Sequence, residues 1–391
     1  MRPCGIANIL LALLLVGCGK SFPPLPDTPP VAEPAVDAVE SVIFLIGDAG
    51  AGTLETSPLL RHLRAAVERQ SQWLSDSAVT VLFLGDNVYP GGVREPGGRE
   101  FEQDSTHLQA QLDVVAGPHA RAQRTRALFI AGNHDWGHKP GAPGRARLDN
   151  MQRLIERRAR AGRFQAALLP PAGEPGPGVI LIGRRLKLLL IDTAWWLLEA
   201  DLREKQRFLE ALDRNVRNLQ GRDLIVAAHH PWQSGGPHGG LVPFWRTIGM
   251  RWLLSRSGAL LQDLNSLPYR DLKNQFSAVF ARYEPPLLFA GGHDHNLQVI
   301  RATTPNEPRF NIVSGAGSKS SQAGRTDGML FQSDEPGYMR LAVLKSGAIE
   351  LFVVSADSDY LLCDDSSPDK RNICLDEGVN AFRTVFSMRL K

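Results

Sequence analysis

The chain has 391 residues, 44 Lys and Arg against 41 Asp and Glu, a net charge of +3 and 43% hydrophobic residues. That balance excludes disorder throughout, and the small, scattered positive charge leaves no electrostatic footprint for a nucleic-acid binder. Length allows two or three domains, one large α/β domain fits as well, and the abundant Gly (37) and Pro (27) point to many loops.

Met1 to Lys20 (MRPCGIANILLALLLVGCGK) joins a positive start to an apolar stretch from Ile6 to Val16. That is an export-signal pattern, short for a transmembrane helix. Leu15-Val16-Gly17-Cys18 resembles the lipobox of bacterial lipoproteins. The resemblance implies removal of 1–17, lipidation of Cys18 and attachment to the bacterial cell envelope, with Gly19 favouring the outer membrane and the periplasmic side. An ordinary signal peptide or a buried N-terminal helix are the alternatives, and both leave Cys18 unexplained. Residues 18–40, rich in Pro, are expected to form an extended tether. The catalytic domain is expected over 41–355, followed by a C-terminal extension over 356–391. In an oxidising compartment Cys363 and Cys374 would bridge; otherwise they are two free thiols.

From residue 41 onward, short apolar runs end in polar residues: SVIFLIGD at Asp48, VTVLFLGD at Asp86, RALFIAGN at Asn133, LKLLLIDT at Thr193, DLIVAAHH at His230 and PLLFAGGH at His293. Runs apolar at nearly every position read as strands covered on both faces. Between them, Ser57-Pro58 opens a helix with Leu60, Leu63, Val67 and Leu74 on one face, and Asp201 with Glu204 opens another through Phe208, Leu212 and Val216. The alternation predicts an α/β architecture with its ligands at the carboxyl ends of the strands. Segments 309–317 and 338–357, the latter with a turn at Ser346-Gly347, read as further strands in a second sheet packed on the first.

The strand-end residues Asp48, Asp86, Asn133, His229, His293 and His295, with Tyr89 three residues beyond Asp86, form a mixed nitrogen and oxygen ligand set. At this point the chain resembles the calcineurin-like metallophosphoesterases, and among them the purple acid phosphatases of the small, tartrate-resistant type. Five blocks carry the resemblance, in order: Asp48-Ala49-Gly50, Gly85-Asp86-Asn87-Val88-Tyr89, Gly132-Asn133-His134-Asp135, Val226-Ala227-Ala228-His229 and Gly292-His293-Asp294-His295. They span about two thirds of the chain. The wider superfamily carries a His where this chain has Gly50; Tyr89 matches the substitution that marks the purple branch.

The resemblance implies two packed mixed β-sheets flanked by helices, an αββα sandwich. It also implies a dinuclear site, in which Asp48, Tyr89 and His295 hold Fe(III), Asp86 bridges, and Asn133, His229 and His293 hold a divalent Fe, Zn or Mn. The residue chemistry agrees, because phenolate and carboxylate suit a hard ion while imidazole and amide suit a divalent one. Metal-held hydroxide would be the nucleophile on a phosphomonoester, with no phosphoenzyme, and the net positive charge of the filled site would attract the phosphate. His134 would donate a proton to the leaving group, with Asp135 either orienting it or merely capping a turn. His238 would contact the phosphate. The alternatives are a phosphodiesterase or nucleotide-directed phosphoesterase on the same scaffold, and a non-catalytic surface lipoprotein.

The expected partners are a small phosphoester and the membrane, reached through the N-terminal lipid. GDAGAG (47–52) lacks the Lys and Ser/Thr of a P-loop and reads as the turn placing Asp48. His230 reads as a loop residue or a phosphate contact, His62, His107, His119 and His138 as surface or structural residues, and Trp195, Trp196 and Trp232 as packing or pocket lining. The stretch 241–285, longer than the small type leads one to expect, reads as a lid, a membrane-resting surface or an extra packed helix.

Overall fold

Each apolar run is a strand whose alternate side chains enter two different cores. In β1 (Val39–Ile46), Ile43 and Leu45 face the second sheet, while Val42, Phe44 and Ile46 face the helices. The same split holds in β6 (Leu186–Ile191), with Leu188 and Leu190 between the sheets and Leu189 and Ile191 beneath the helices. A strand covered on both faces needs apolar residues at every position, which is why these runs do not alternate. Burying each Leu or Ile contributes roughly 1.5–3 kcal/mol.

The computed structural model describes residues 25–74, 78–117, 125–139, 141–198, 201–239, 262–356 and 380–391. Cys18, Cys363, Cys374, His119 and the apolar stretch 244–261 lie outside the described residues. Two seven-stranded mixed sheets pack face to face. In the first, β1, β2 (Ala78–Phe83), β3 (Thr125–Phe129) and β4 (Gln165–Leu168) run parallel. On the other side of β1 lie β12 (Gly337–Leu344), β13 (Ile349–Ala356) and β14 (Phe382–Arg389), all antiparallel. The second sheet has β6, β7 (Asp223–Ala228), β8 (Leu288–Gly291) and β10 (Phe310–Ser314) parallel, flanked by antiparallel β5 (Gly178–Ile182), β9 (Leu297–Arg301) and β11 (Met329–Ser333).

The expected sandwich is therefore observed, with one correction of membership. The 338–357 hairpin joins β1 in the first sheet, with Ile43 opposite Leu341, whereas 309–317 supplies β10 of the second. The hairpin follows β1 because its inward residues Met339, Leu341 and Val343 complete the same inter-sheet layer.

Outside the sheets lie α1 (Pro58–Trp73), α2 (Arg99–Asp113), α3 (Ala142–Gly162), α4 (Thr193–Leu198), α5 (Leu202–Arg217) and α6 (Leu267–Phe280). The two predicted caps form: Ser57 Oγ accepts from Leu60 N at 3.2 Å, and Asp201 Oδ1 accepts from Arg203 N and Glu204 N. Trp195, Trp196, Phe208 and Phe276 stack between α4, α5 and α6, so both indoles are core, as is Trp232 between Phe280 and Phe289. Among the described residues no helix is long and apolar enough to cross a membrane.

Candidate metal centre

The parallel strands of the two sheets end side by side, and their first turns carry the candidate ligands. Three of these residues, Asp48, Asp86 and His293, have φ of 59°, 54° and 68°. Such left-handed backbone costs a non-glycine residue about 1–3 kcal/mol and persists only where its surroundings over-determine it. Here the turns hold one another. Asp48 N donates to Gly85 O at 2.9 Å, His134 N to Asp86 Oδ1 at 2.9 Å and His293 N to Asp48 Oδ2 at 2.8 Å. Gly85, at φ 91°, lets the chain pass His229 closely, since a Cβ there would lie 2.5 Å from His229 Nδ1. Gly50 is equally constrained: a Cβ would lie 2.3 Å from the Asn87 carbonyl carbon. No side chain fits at position 50, and Tyr89, whose N–H donates to Gly50 O at 3.0 Å, supplies the group from the neighbouring turn.

All seven candidate ligands come together, in two groups joined by Asp86. In the first, Tyr89 Oη lies 3.0 Å from Asp48 Oδ1, 3.0 Å from Asp86 Oδ2 and 3.3 Å from His295 Nε2. In the second, His229 Nε2 lies 2.9 Å from Asn133 Oδ1, 3.2 Å from His293 Nδ1 and 3.4 Å from Asp86 Oδ1. Asp48, Asp86 and His229 by themselves bring one ligand atom each within 4.8 Å of one another, all buried.

Backbone carbonyls orient two of the imidazoles. His229 Nδ1 sits 2.9 Å from Leu84 O, and His293 Nε2 sits 3.1 Å from Gln262 O. A carbonyl only accepts, so those nitrogens carry protons, and the opposite nitrogens, His229 Nε2 and His293 Nδ1, face inward. Burial, then the neighbouring His238, His230, His229 and His295, hold His293 well below its usual pKa. Asn133 Oδ1, His293 Nδ1 and Asp86 Oδ1 converge on His229 Nε2; burial would lower the His229 pKa, but the charges of Asp86 and Asp48 outweigh it and leave it raised, so a proton on Nε2 stands where a cation could replace it.

The first group differs. Burial, then the charges of Asp48 and Asp86, push the Tyr89 phenol well above its usual pKa, so it is protonated and donates to both carboxylates. Burial would also raise the Asp86 carboxyl, but His229, His134 and the hydrogen bonds it accepts outweigh that and leave it below the usual range. A hard cation here would replace the phenol proton. The donor sets fit two metal ions of different character.

The expected catalytic histidines line the rim, with His134 and His238 side chains 24% and 30% exposed. His134 Nε2 lies 3.8 Å from Asp86 Oδ2, and its Nδ1 lies 2.7 Å from Pro90 O. Asp135 does not orient it. That carboxylate caps a turn, accepting from Gly132 N, Asn87 N and Val88 N at 2.8–3.1 Å. His138, expected as a surface or structural residue, places Nε2 3.1 Å from His134 Nδ1 and Nδ1 3.3 Å from Asn133 Nδ2. His230 lies in the bend after β7, as read, but is wholly buried behind His293, with Nδ1 2.9 Å from Thr193 Oγ1.

His238 stacks on His293 at 4.1 Å, and its Nδ1 lies 2.8 Å from Asp263 Oδ1. Gln262 and Asp263, just before α6, thus reach the metal site, while α6 itself is a packed helix. Sequence reading missed both residues and Lys319, whose ammonium lies over the Tyr89 ring. None belongs to a block of the resemblance.

No protein-family model matches the chain, and no curated protein matches it. Among solved structures, a purple acid phosphatase, PPD1, from yellow lupin (Lupinus luteus) seeds is similar at a TM-score of 0.51 and 14% identity over 89% of this chain. The fold is metallophosphoesterase-like. This chain spans about half of the lupin chain, 53% of its length. Plasmodium GAP50, described as the anchor in the inner membrane complex, is similar over 86% of this chain and 95% of its own at 15% identity. Its TM-score of 0.49 is too loose a likeness to bear on function.

Proposed function

We propose that this chain hydrolyses phosphomonoesters at a dinuclear site, with Fe(III) among Asp48, Tyr89 and His295, a divalent Fe, Zn or Mn among Asn133, His229 and His293, and Asp86 shared. The observation that carries this reading is the convergence of Asn133 Oδ1, His293 Nδ1 and Asp86 Oδ1 on His229 Nε2 beside a second, oxygen-rich group. The likeness of the fold to a purple acid phosphatase supports it.

Two cations held there would orient and polarise the phosphate and acidify a water in line with the leaving group. The chain's own residues do the rest. Leu84 O and Gln262 O fix the outer N–H of His229 and His293 and so turn His229 Nε2 and His293 Nδ1 inward. Tyr89 would give up to a cation held there the proton it now donates to Asp48 and Asp86. The Pro90 carbonyl accepts from His134 Nδ1–H and so turns Nε2 towards the mouth of the site, where it would face the leaving oxygen. His238, its Nδ1–H engaged by Asp263, turns Nε2 to the phosphate.

The test is the metal content and visible spectrum of the purified protein against Tyr89→Phe, with rates on a phosphate monoester and its matched diester. Two metals, a Tyr89-dependent band and monoester turnover are expected. Preference for the diester moves the reading to a phosphodiesterase, and metal-loaded protein that turns over neither substrate overturns hydrolysis. The signal-like residues 1–17 and the lipobox-like 15–18 support export and a lipid anchor at Cys18. Membrane-extracted protein with an unmodified Cys18, read by mass spectrometry, would remove that anchor.

A further inference from the structure

Lys319 belongs to neither ligand group, yet its Nζ stands 3.5 Å from the centroid of the Tyr89 ring. The loop that carries it is fastened to both ends of the ligand set. Ser318 Oγ donates to Asp48 O, and Ser321 N donates to His295 O at 2.7 Å. Lys319 is thus bracketed by attachments to two ligand-bearing turns while its side chain is exposed. The same Tyr89 ring packs against His134, with centroids 4.4 Å apart. One aromatic ring therefore brings an ammonium group and the candidate leaving-group acid to the mouth of the site.

A π-face attracts an ammonium without neutralising it. Among the described residues no carboxylate forms an ion pair with Lys319, so its full charge remains available to an incoming anion. The buried carboxylates below belong to the ligand set, and Tyr89 stands between them and solvent.

We propose that Lys319 is a specificity-determining residue that receives an anionic leaving group, favouring phosphoanhydrides over monoesters whose alcohol portion is uncharged. In a diphosphate, a water oxygen bonds to the terminal phosphorus and the bond from that phosphorus to the bridging oxygen breaks. The departing phosphate keeps the electron pair, and His134 supplies its proton, replaced from the attacking water. Lys319 faces the charge on that departing group. A neutral alcohol offers it nothing beyond general attraction for the substrate.

This assignment rests on the phosphatase reading, and the experiment separates the two. On the metal-loaded full chain, kcat/KM is measured for a nucleoside diphosphate and for an aryl phosphate with an uncharged ring, in wild type, Lys319→Met and Lys319→Arg. Calorimetry gives the affinities for pyrophosphate and orthophosphate. Lys319→Met is expected to lower kcat/KM for the diphosphate about tenfold and for the aryl ester by no more than a few-fold, with matching changes in the affinity ratio. Lys319→Arg is expected to retain the preference, and added salt to erode it. Equal losses on both substrates, or none, overturn the assignment. If wild type turns over neither substrate, the phosphatase reading fails, and the ratio of pyrophosphate to orthophosphate affinity still decides Lys319: a ratio unchanged in Lys319→Met overturns it.

Discussion

The group of Asp48, Tyr89 and His295 is rich in oxygen and opens to solvent through a His295 side chain that is 24% exposed, whereas Asn133, His229 and His293 are each 4% exposed or less and offer mainly nitrogen. Their protonation differs as well. The first group holds a phenol proton shared between two carboxylates; in the second, two backbone carbonyls take the outer imidazole protons, and the raised pKa of His229 favours a further proton on its Nε2. A cation would therefore displace a phenol proton in one half and an imidazole proton in the other. The first half suits a hard, highly charged ion, and the second depends on the chain segments that fix its tautomers.

The sharpest way to break this comparison is to remove what the halves share. Asp86→Asn should lower kcat about 10³-fold, or ~4 kcal/mol of barrier, and reduce metal content in both halves. Loss of one metal alone would show that Asp86 does not serve both. Next, His229→Ala should reduce kcat about 10²-fold and bound divalent metal while leaving the Tyr89-dependent band, whereas His295→Ala should weaken that band first. Metal analysis beside the visible spectrum separates the two.

A smaller effect tests the rim. Asp263→Asn should lower kcat/KM about tenfold with metal content unchanged, because it loosens His238 rather than a ligand. Phosphate affinity measured by calorimetry should fall in parallel; an unaltered affinity would assign Asp263 to packing alone.

The smallest effect separates the scaffold from the site in acid. His62, stacked on Phe382 and 3.2 Å from Tyr338 Oη, has its pKa lowered to about 4 by burial and then by Arg69. Its folded pKa lies below the unfolded 6.5, so its contribution is fully present above pH 6.5 and is lost as pH falls from there towards 4. Partial exposure limits this to roughly 1–2 kcal/mol. Thermal melts of His62→Gln against wild type should converge in that window; curves that stay parallel would show that His62 does not contribute.

The readable part of the site was readable for a local reason. Asp48, Asp86, Asn133, His229 and His293 each lie within five residues of the end of a strand buried on both faces, so the apolar run announces the position and the first polar residues beyond it announce the chemistry. Tyr89 needed the family resemblance, and the space missing at Gly50 now supplies its physical reason. Asp263, Gln262, His138 and Lys319 follow no such rule. Lys319 is 230 residues from the ring it covers, and nothing in local periodicity encodes that meeting. The 338–357 hairpin was legible as two strands, but its sheet was not, because its apolar residues would suit either.

The sequence by itself determined the strands, the two helix caps and the kind of ligand at each strand end, since these follow from burial on two faces and from hydrogen bonds within a few residues. Only the tertiary structure decided which imidazole nitrogens face inward, that Asp135 caps a turn, and which side chains rim the mouth. Those properties depend on distances between distant segments and on burial, which shifts protonation in ways no single stretch of chain contains.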